Sequence, residues 1–261
     1  MTYCLGMLLE DGLILMADTR TNAGVDNFST YRKLHVLADG PDREIFAATA
    51  GSLSVTQSVI SLLQEDQLAS QTDEHSRCLS EAPTMFRVAQ LVGEAVERVG
   101  ATVGAALDRA HIDSHVELLV GGRVGEGPLK LYLIYSIGNF IECTSDVPFL
   151  QIGETKYGRP ILDRALRHET PLAEAVKMGC LSFDSTMKSN LGVAMPIDVL
   201  VVPNDRKRPV FNRRIERGDR YFSDLAERWA ELLYNAATGL PSPPWMGDYS
   251  CERPKSGRAS S

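Results

Sequence analysis

The order of the predicted elements indicates an α+β fold in which two antiparallel sheets pack face to face, with helices on the outside. Apolar runs joined by turn residues form hairpins near the N-terminus and again around residues 116–152. Each set is followed by sequence with helical spacing, and an apolar strand closes the pattern at residues 196–202. Hairpins separated by helix pairs are typical of two packed sheets, because each sheet must cover its apolar faces.

The first hairpin begins at the extreme N-terminus. Residues 1–9 are apolar over the length of one strand, the Glu-Asp-Gly at 10–12 favours a tight turn, and residues 13–17 form the return strand. A second hairpin joins residues 33–37 to residues 45–49 across a turn. No basic region precedes the first apolar stretch, so we do not expect a secretory signal.

Downstream of the second hairpin, spacing predicts helices, strands and one loop. We expect helices over residues 55–63, 84–110, 160–167 and 171–188, strands over 116–120, 129–137, 139–143, 149–152 and 196–202, and a loop over the polar insert 64–83.

Composition excludes several classes of function. The chain has 261 residues with 27 Lys+Arg against 34 Asp+Glu, and the net charge of −7 argues against broad nucleic-acid binding. No apolar run approaches the roughly 20 residues that a membrane-spanning helix needs. The five cysteines are widely spaced and form no CxxC pair, so neither a zinc ribbon nor a disulfide scaffold is expected. These features predict a cytoplasmic protein with no nucleic-acid or membrane partner.

Thr2 is the first residue in the chain that suggests a chemical role. Because Met1 precedes a small residue, we expect trimming by an aminopeptidase to expose Thr2 with a free α-amino group. A Thr hydroxyl is a poor nucleophile unless a base removes its proton, and an α-amino group with a pKa of about 8 can be that base. Since many proteins begin with Met-Thr, this interpretation requires supporting residues elsewhere.

Supporting segments follow Thr2 in a characteristic order. They are Asp18-x-Arg20, Lys33, Ala50-Gly51, Ser136-Ile137-Gly138, Gly153-Glu154-Thr155-x-Tyr157-Gly158 and the strand at residues 196–202. In this order and spacing they resemble a proteasome-type β subunit over about residues 2–203, and residues 17–26 and 184–190 resemble a bacterial branch of that family most closely. The resemblance implies an N-terminal-nucleophile hydrolase with a four-layer αββα sandwich, which acts on a peptide or another amide substrate without a metal or cofactor.

The residue types at these positions suit that chemistry. Thr2 Oγ attacks an amide carbonyl, and Lys33 places a cation near Oγ and the amine, which favours the deprotonated hydroxyl. Asp18, at the end of the strand that pairs with the first, holds the Lys33 ammonium by a charge-assisted hydrogen bond. The backbone N–H of Gly51 is a candidate oxyanion donor, and Arg20 orders the surroundings of Asp18. The alternative for Asp18 and Lys33 is a surface ion pair beside a hairpin.

Two features differ from the family pattern, and a third is left open. Lys33 lies one residue closer to the nucleophile than usual, and Glu154 stands where the family usually offers a Ser. The later residues that support the nucleophile are predicted to be Asp184 with either Ser185 or Ser189, and the sequence does not choose between the two serines.

The chain continues beyond the part that resembles the family. We expect one sandwich domain over residues 1–203, a helical extension over 204–240 and a mobile tail over 241–261 that is rich in Pro, Ser and Gly. The basic run 205–220 is expected to meet solvent or an acidic neighbouring subunit. The extension has a helical apolar face that either covers the subunit's own core or contacts a neighbour. That face consists of Phe222, Leu225, Ala226, Trp229, Leu232, Leu233 and Ala236.

Two other patterns have simpler interpretations than catalysis. His111 and His115 are spaced i,i+4 and would share one face of a helix, as zinc ligands do, but no third ligand is evident and we expect no metal site. Cys4 lies on the Thr2 face of the first strand, where we expect a buried, small apolar side chain.

The leading hypothesis is a threonine-type N-terminal hydrolase that cleaves peptide amide bonds within a homo-oligomer, either a ring or an open spiral. One alternative is an assembly or scaffold protein of the same fold with little peptidase activity. Another is an amidohydrolase that acts on a small γ-glutamyl or acylated metabolite. The sequence identifies no unfoldase partner.

We predict that the purified protein lacks Met1, because only then does Thr2 carry the free amine. Intact-mass measurement checks this, with a Thr2→Leu variant, whose bulky second residue keeps Met1, as the mass standard. A wild-type mass that includes Met1 would contradict the assignment of Thr2 as nucleophile.

Overall fold

The structure is a computed structural model that describes residues 2–22, 28–69 and 78–249. The strands are β1 (Tyr3–Leu9), β2 (Gly12–Asp18), β3 (Arg20–Asn22), β4 (Phe28–Thr30), β5 (Leu34–Gly40), β6 (Arg43–Gly51), β7 (Val116–Val124), β8 (Lys130–Ile134), β9 (Phe140–Glu142), β10 (Phe149–Gly153), β11 (Ile197–Pro203) and β12 (Phe211–Ile215). The helices are α1 (Leu53–Ala69), α2 (Met85–Val99), α3 (Ala105–Arg109), α4 (Arg159–Ala165), α5 (Leu172–Ser189) and α6 (Arg220–Gly239). A π-helical turn, Gly100–Gly104, joins α2 to α3, and a 3-10 helix spans Pro244–Tyr249.

Two five-stranded antiparallel sheets form the centre of the molecule. The first has the strand order β10-β1-β2-β11-β12 and the second has the order β5-β6-β7-β8-β9, while β3 and β4 pair with each other. Strand β1 lies inside the first sheet, with Tyr3 opposite Gly153 of β10 and Cys4 opposite Ala17 of β2. The start of the chain therefore lies beside the ends of two neighbouring strands.

Side-chain alternation explains why the central strands are continuously apolar. In β2, Ile14 and Met16 pack in the cluster formed with helices α4 and α5, whereas Leu13 and Leu15 pack against side chains of the second sheet such as Phe46. Strands β6 and β7 alternate in the same way between the first sheet and helices α1 and α2. Strands buried on both faces read as apolar runs rather than as alternating patterns. The layers are helix, sheet, sheet, helix, which confirms the predicted αββα sandwich.

The polar insert is a place where the local prediction was wrong. The predicted loop began at residue 64, but α1 continues to Ala69. The residues of these last turns are mostly exposed, so their polarity reflects contact with water rather than the end of the helix. Residues 70–77 of the insert lie outside the described residues.

Strand β12 was not predicted, because it lies within the basic run 205–220. It pairs with β11, and the Arg214 guanidinium donates from Nε to Asp198 Oδ1 at 2.7 Å and from Nη2 to Asp198 Oδ2 at 2.8 Å. Charged side chains are common on edge strands, where they discourage pairing with other chains. Here they concealed the strand's apolar signal.

Helix α6 covers the core of its own subunit only near its N-terminal end. Asp219 caps the helix by accepting a hydrogen bond from Phe222 N at 3.0 Å, and Phe222 is buried. Farther along the same face, Leu232 and Leu233 are 53% and 49% exposed. The second half of the predicted apolar face is therefore left exposed by the residues that the structure describes. Within the described part of the chain, none of the helices is both long and apolar enough to span a bilayer.

Candidate active site

Thr2 lies at the start of β1, where the neighbouring strand β10 holds its backbone. Thr2 O accepts a hydrogen bond from Glu154 N at 2.7 Å, and Thr2 is only 8% exposed. Gly153 has φ +80°, and a Cβ at that position would lie 2.1 Å from Thr2 O. Only glycine permits this approach, which places Thr2 against the end of β10.

Asp18 ends β2 directly beside Tyr3 and is fully buried. Its Oδ1 accepts a hydrogen bond from Tyr3 N at 3.0 Å, and its Oδ2 accepts one from Arg20 N at 3.1 Å. The carboxylate is thus oriented by main-chain groups on either side of it.

Lys33 reaches this carboxylate from the segment that precedes β5. Its Nζ donates to Asp18 Oδ1 at 2.7 Å and to Arg20 O at 2.6 Å, and its side chain is buried. An ammonium has three N–H donors. Among the described residues these are the partners of Lys33 Nζ, which leaves one donor for the cavity that Lys33 lines.

Burial has the largest effect on the acidity of this pair. It raises the pKa of the Asp18 carboxyl above its ordinary value, while the Lys33 ammonium and the amides of Tyr3 and Arg20 oppose that shift. Loss of the cation would remove the main opposing influence and leave the carboxylate in an apolar site. The buried Asp18 carboxylate therefore depends on the Lys33 cation.

Thr2, Lys33 and Gly51 all line one cavity of about 750 Å³. Gly51 ends β6 with φ +101°, and a Cβ there would lie 2.1 Å from His115 O. Glycine is thus required for the close packing of β6 against the start of β7. The cavity wall also contains Thr21, Thr49, Ala50, Ser52, Leu53, Ser54, Thr56, Ile112, Asp113, His115, Glu117 and Gly153.

The predicted supporting residues fall into two groups. Arg20 contributes through its main chain, since its N–H binds Asp18 and its carbonyl binds Lys33. Asp184 lies on α5, where its carboxylate accepts a hydrogen bond from Lys188 Nζ at 2.9 Å. Ser185 is half-buried and Ser189 is exposed on the same helix.

Asp184, Ser185 and Ser189 are not among the described residues that line the Thr2 cavity. Their support of the nucleophile stays a prediction.

Glu154 occupies the position where the family usually has a Ser. The residue is buried, and its Oε2 accepts a hydrogen bond from Asn190 Nδ2 at 2.8 Å. The carboxylate thus ties β10 to the end of α5, next to the backbone contact between Glu154 and Thr2.

His111 and His115 do not share a helical face, because both follow the last turn of α3 in non-helical chain. His115 Nδ1 lies 2.9 Å from Ser136 Oγ, and its Nε2 lies 3.9 Å from Glu117 Oε1. Cys4 is buried between the sheets with its Sγ 3.6 Å from Thr49 O, and burial raises the pKa of its thiol. Both observations favour a structural role over the reactive alternatives for these residues.

Asp113, His115 and Glu117 were not predicted to belong to the site. They reach it because β7 begins beside the end of β6, with Val116 opposite Gly51. These two strands are separated by more than sixty residues of intervening chain. A pairing between distant strands has no local sequence signal.

The sandwich and the arrangement at Thr2 define a class of protein, the N-terminal-nucleophile hydrolase fold of the proteasome type. A family model described as Proteasome subunit matches residues 2–202. The chain belongs to this family, which confirms the resemblance seen in the sequence.

The chain is also similar to solved structures of Anbu. The Anbu (Gly-1) mutant from Hyphomicrobium sp. strain MC1 is 41% identical with a TM-score of 0.86, over 93% of this chain and 99% of that one. Anbu (ancestral beta-subunit) from Yersinia bercovieri is 39% identical with a TM-score of 0.81, over 92% and 98%. The helical assembly of the Anbu complex from Pseudomonas aeruginosa is 41% identical with a TM-score of 0.86, over 95% and 100%. No match was found among curated proteins.

We predict that Lys33→Met lowers the free energy of unfolding by about 3–5 kcal/mol, because it leaves the buried Asp18 carboxylate without its cation. Denaturant unfolding at fixed protein concentration measures this. The matched control is Lys130→Met, which breaks the more exposed pair with Glu142 and should change stability by less than about 1 kcal/mol. Equal effects of the two substitutions would contradict the account of the buried pair.

Proposed function

We propose that the protein is a threonine-type N-terminal hydrolase that cleaves amide bonds, with Thr2 as the nucleophile after Met1 is removed. The observation that carries the proposal is the position of Lys33. This buried cation is held by Asp18 and opens on the same cavity as Thr2 and Gly51. A cation at that point favours the alkoxide form of Thr2 Oγ and the neutral form of its α-amine.

The first half of the reaction forms an acyl-enzyme. The neutral α-amine takes the proton from Thr2 Oγ as Oγ bonds to the carbonyl carbon of the substrate. The electron pair of the carbonyl moves to its oxygen, where the N–H of Gly51 is the candidate donor. The carbon–nitrogen bond then breaks, and the leaving amine takes the proton from the Thr2 ammonium.

The second half releases the acid. The α-amine, neutral again, takes a proton from water as the water oxygen attacks the ester carbon. The ester bond to Thr2 breaks, Oγ regains its proton, and the free enzyme is restored. Lys33 and Asp18 keep their charges throughout, so they stabilise charge at Oγ without being consumed.

We also propose that the chain works as a homo-oligomer. The exposed face of α6 supports this, because Leu232 and Leu233 are large apolar side chains that the described part of the chain leaves about half exposed. The Pseudomonas aeruginosa Anbu complex, to which the chain is similar, is described as a helical assembly.

We predict that a peptide epoxyketone or β-lactone probe adds covalently to Thr2, since both warheads react with an N-terminal threonine. Peptide mapping by mass spectrometry locates the adduct. Thr2→Ala should abolish labelling, whereas the surface control Thr144→Ala should leave the rate unchanged.

The outcomes of this labelling separate the alternative functions. An adduct that survives in Thr2→Ala would refute the role of Thr2. A trimmed wild-type protein that no probe labels would favour the scaffold function over hydrolysis.

A further inference from the structure

The start of β7 brings acidic side chains to the cavity beside Thr2. Val116 and Leu118 of this strand pack in the core on the helix side, whereas Leu119 packs between the two sheets. Because side chains alternate along a strand, Glu117 projects to the same side as Leu119, towards the first sheet. At this end of the strand that side is the cavity, which Glu117 lines together with Asp113 and His115.

The charges that line the cavity do not balance. Lys33 is the cation of the described cavity wall, and the fully buried Asp18 carboxylate pairs with it at 2.7 Å. Asp113 and Glu117 are the carboxylates of the wall, and His115 is its imidazole. Because Asp18 balances the charge of Lys33, the two further carboxylates give the site an excess of negative charge.

Glu117 is the carboxylate best placed to bind a ligand. Its Oε2 accepts a hydrogen bond from Gly153 N at 3.3 Å, and Gly153 contacts Thr2. Its Oε1 lies 3.9 Å from His115 Nε2, beyond ordinary hydrogen-bond distance. The side chain is thus anchored beside the nucleophile through one oxygen while the other retains acceptor capacity.

The hydroxyl of Thr2 gives a second, independent indication of a ligand here. Thr2 is 8% exposed and lines the cavity. Within the described part of the chain its side chain has no hydrogen-bond partner, although its carbonyl is bound by Glu154. Thr2 Oγ is not among the fully enclosed polar atoms that lack a partner, so it is accessible from the cavity, where a ligand or water can hydrogen-bond to it.

We propose that this cavity selects amide substrates with a basic side chain next to the scissile carbonyl. Glu117 is the residue that binds the positive charge of that side chain. The inference rests on the proposed function of Thr2. A cleft lined by one sign of charge concentrates ligands of the opposite sign. The same wall repels the carboxylate of a γ-glutamyl substrate, so it favours peptides with Lys or Arg over acidic metabolites.

Matched covalent probes test this selectivity. We compare the rates at which three peptide epoxyketones add to Thr2. The three differ only in the side chain beside the warhead, which is arginine, its neutral isostere citrulline, or glutamate. We expect arginine to react about 2- to 5-fold faster than citrulline, with glutamate slowest and the differences shrinking at high salt.

Two carboxylate variants make the test specific. Glu117→Gln keeps the shape and the acceptor for Gly153 N but removes the charge, so the ratio of arginine to citrulline should fall close to one. Glu142→Gln, which removes a carboxylate paired with Lys130 outside the cavity, should leave the ratio unchanged. An arginine-to-citrulline ratio near one in the wild type, or a ratio that Glu117→Gln does not change, would overturn the inference. Labelling of Thr2 in the same experiment would still support the proposed function.

A binding measurement without turnover tests the charge selectivity independently of whether Thr2 is a nucleophile. Calorimetry on the Thr2→Ala protein compares the Kd values of an arginine peptide amide and its citrulline counterpart, with and without Glu117→Gln. Tighter binding of arginine that depends on Glu117 would support the inference even if no probe labelled Thr2. Equal binding of the two peptides, or no binding of either, would overturn it.

Discussion

The buried ion pair between Lys33 and Asp18 is the interaction on which the rest of the site depends. Removing two charges from water costs several kcal/mol for each, and the cost is offset only where geometry and further hydrogen bonds are good. Asp18 meets this requirement through Lys33 Nζ and the amides of Tyr3 and Arg20. The pair therefore depends on β1, β2 and β3, which couples the site to the folding of the first sheet and of the β3–β4 hairpin.

The sandwich supplies that arrangement because its central strands are buried on both faces. Strand β1 is held between β2 and β10, so Thr2 starts in the interior of a sheet rather than at an edge. The second sheet then contributes the cavity walls, with Gly51 from β6 and Glu117 from β7. The site therefore forms where the ends of strands from both sheets meet.

Sequence patterns predicted the elements and residues whose signals are local. The β1–β2 hairpin follows from two apolar runs about an Asp-Gly turn, and the grouping of Thr2, Asp18 and Lys33 follows from motif order. Strand β12 was not predictable because its exposed, charged residues do not form an apolar run. Helix α1 extends beyond its apolar pattern because its last turns face water.

Other features depend on contacts between segments far apart in the chain. The place of Glu117 in the cavity depends on the pairing of β6 with β7. The contact between Glu154 and Asn190, which ties the end of β10 to the end of α5, likewise joins residues that are distant in the chain. The most direct test of the central claim is a high-resolution crystal structure of the trimmed protein. It should show Lys33 Nζ within about 3.2 Å of Asp18 Oδ1, with its remaining N–H donor directed into the cavity towards Thr2 Oγ. A Lys33 side chain that turns away from Thr2 Oγ, or an Asp18 without its cation, would contradict it.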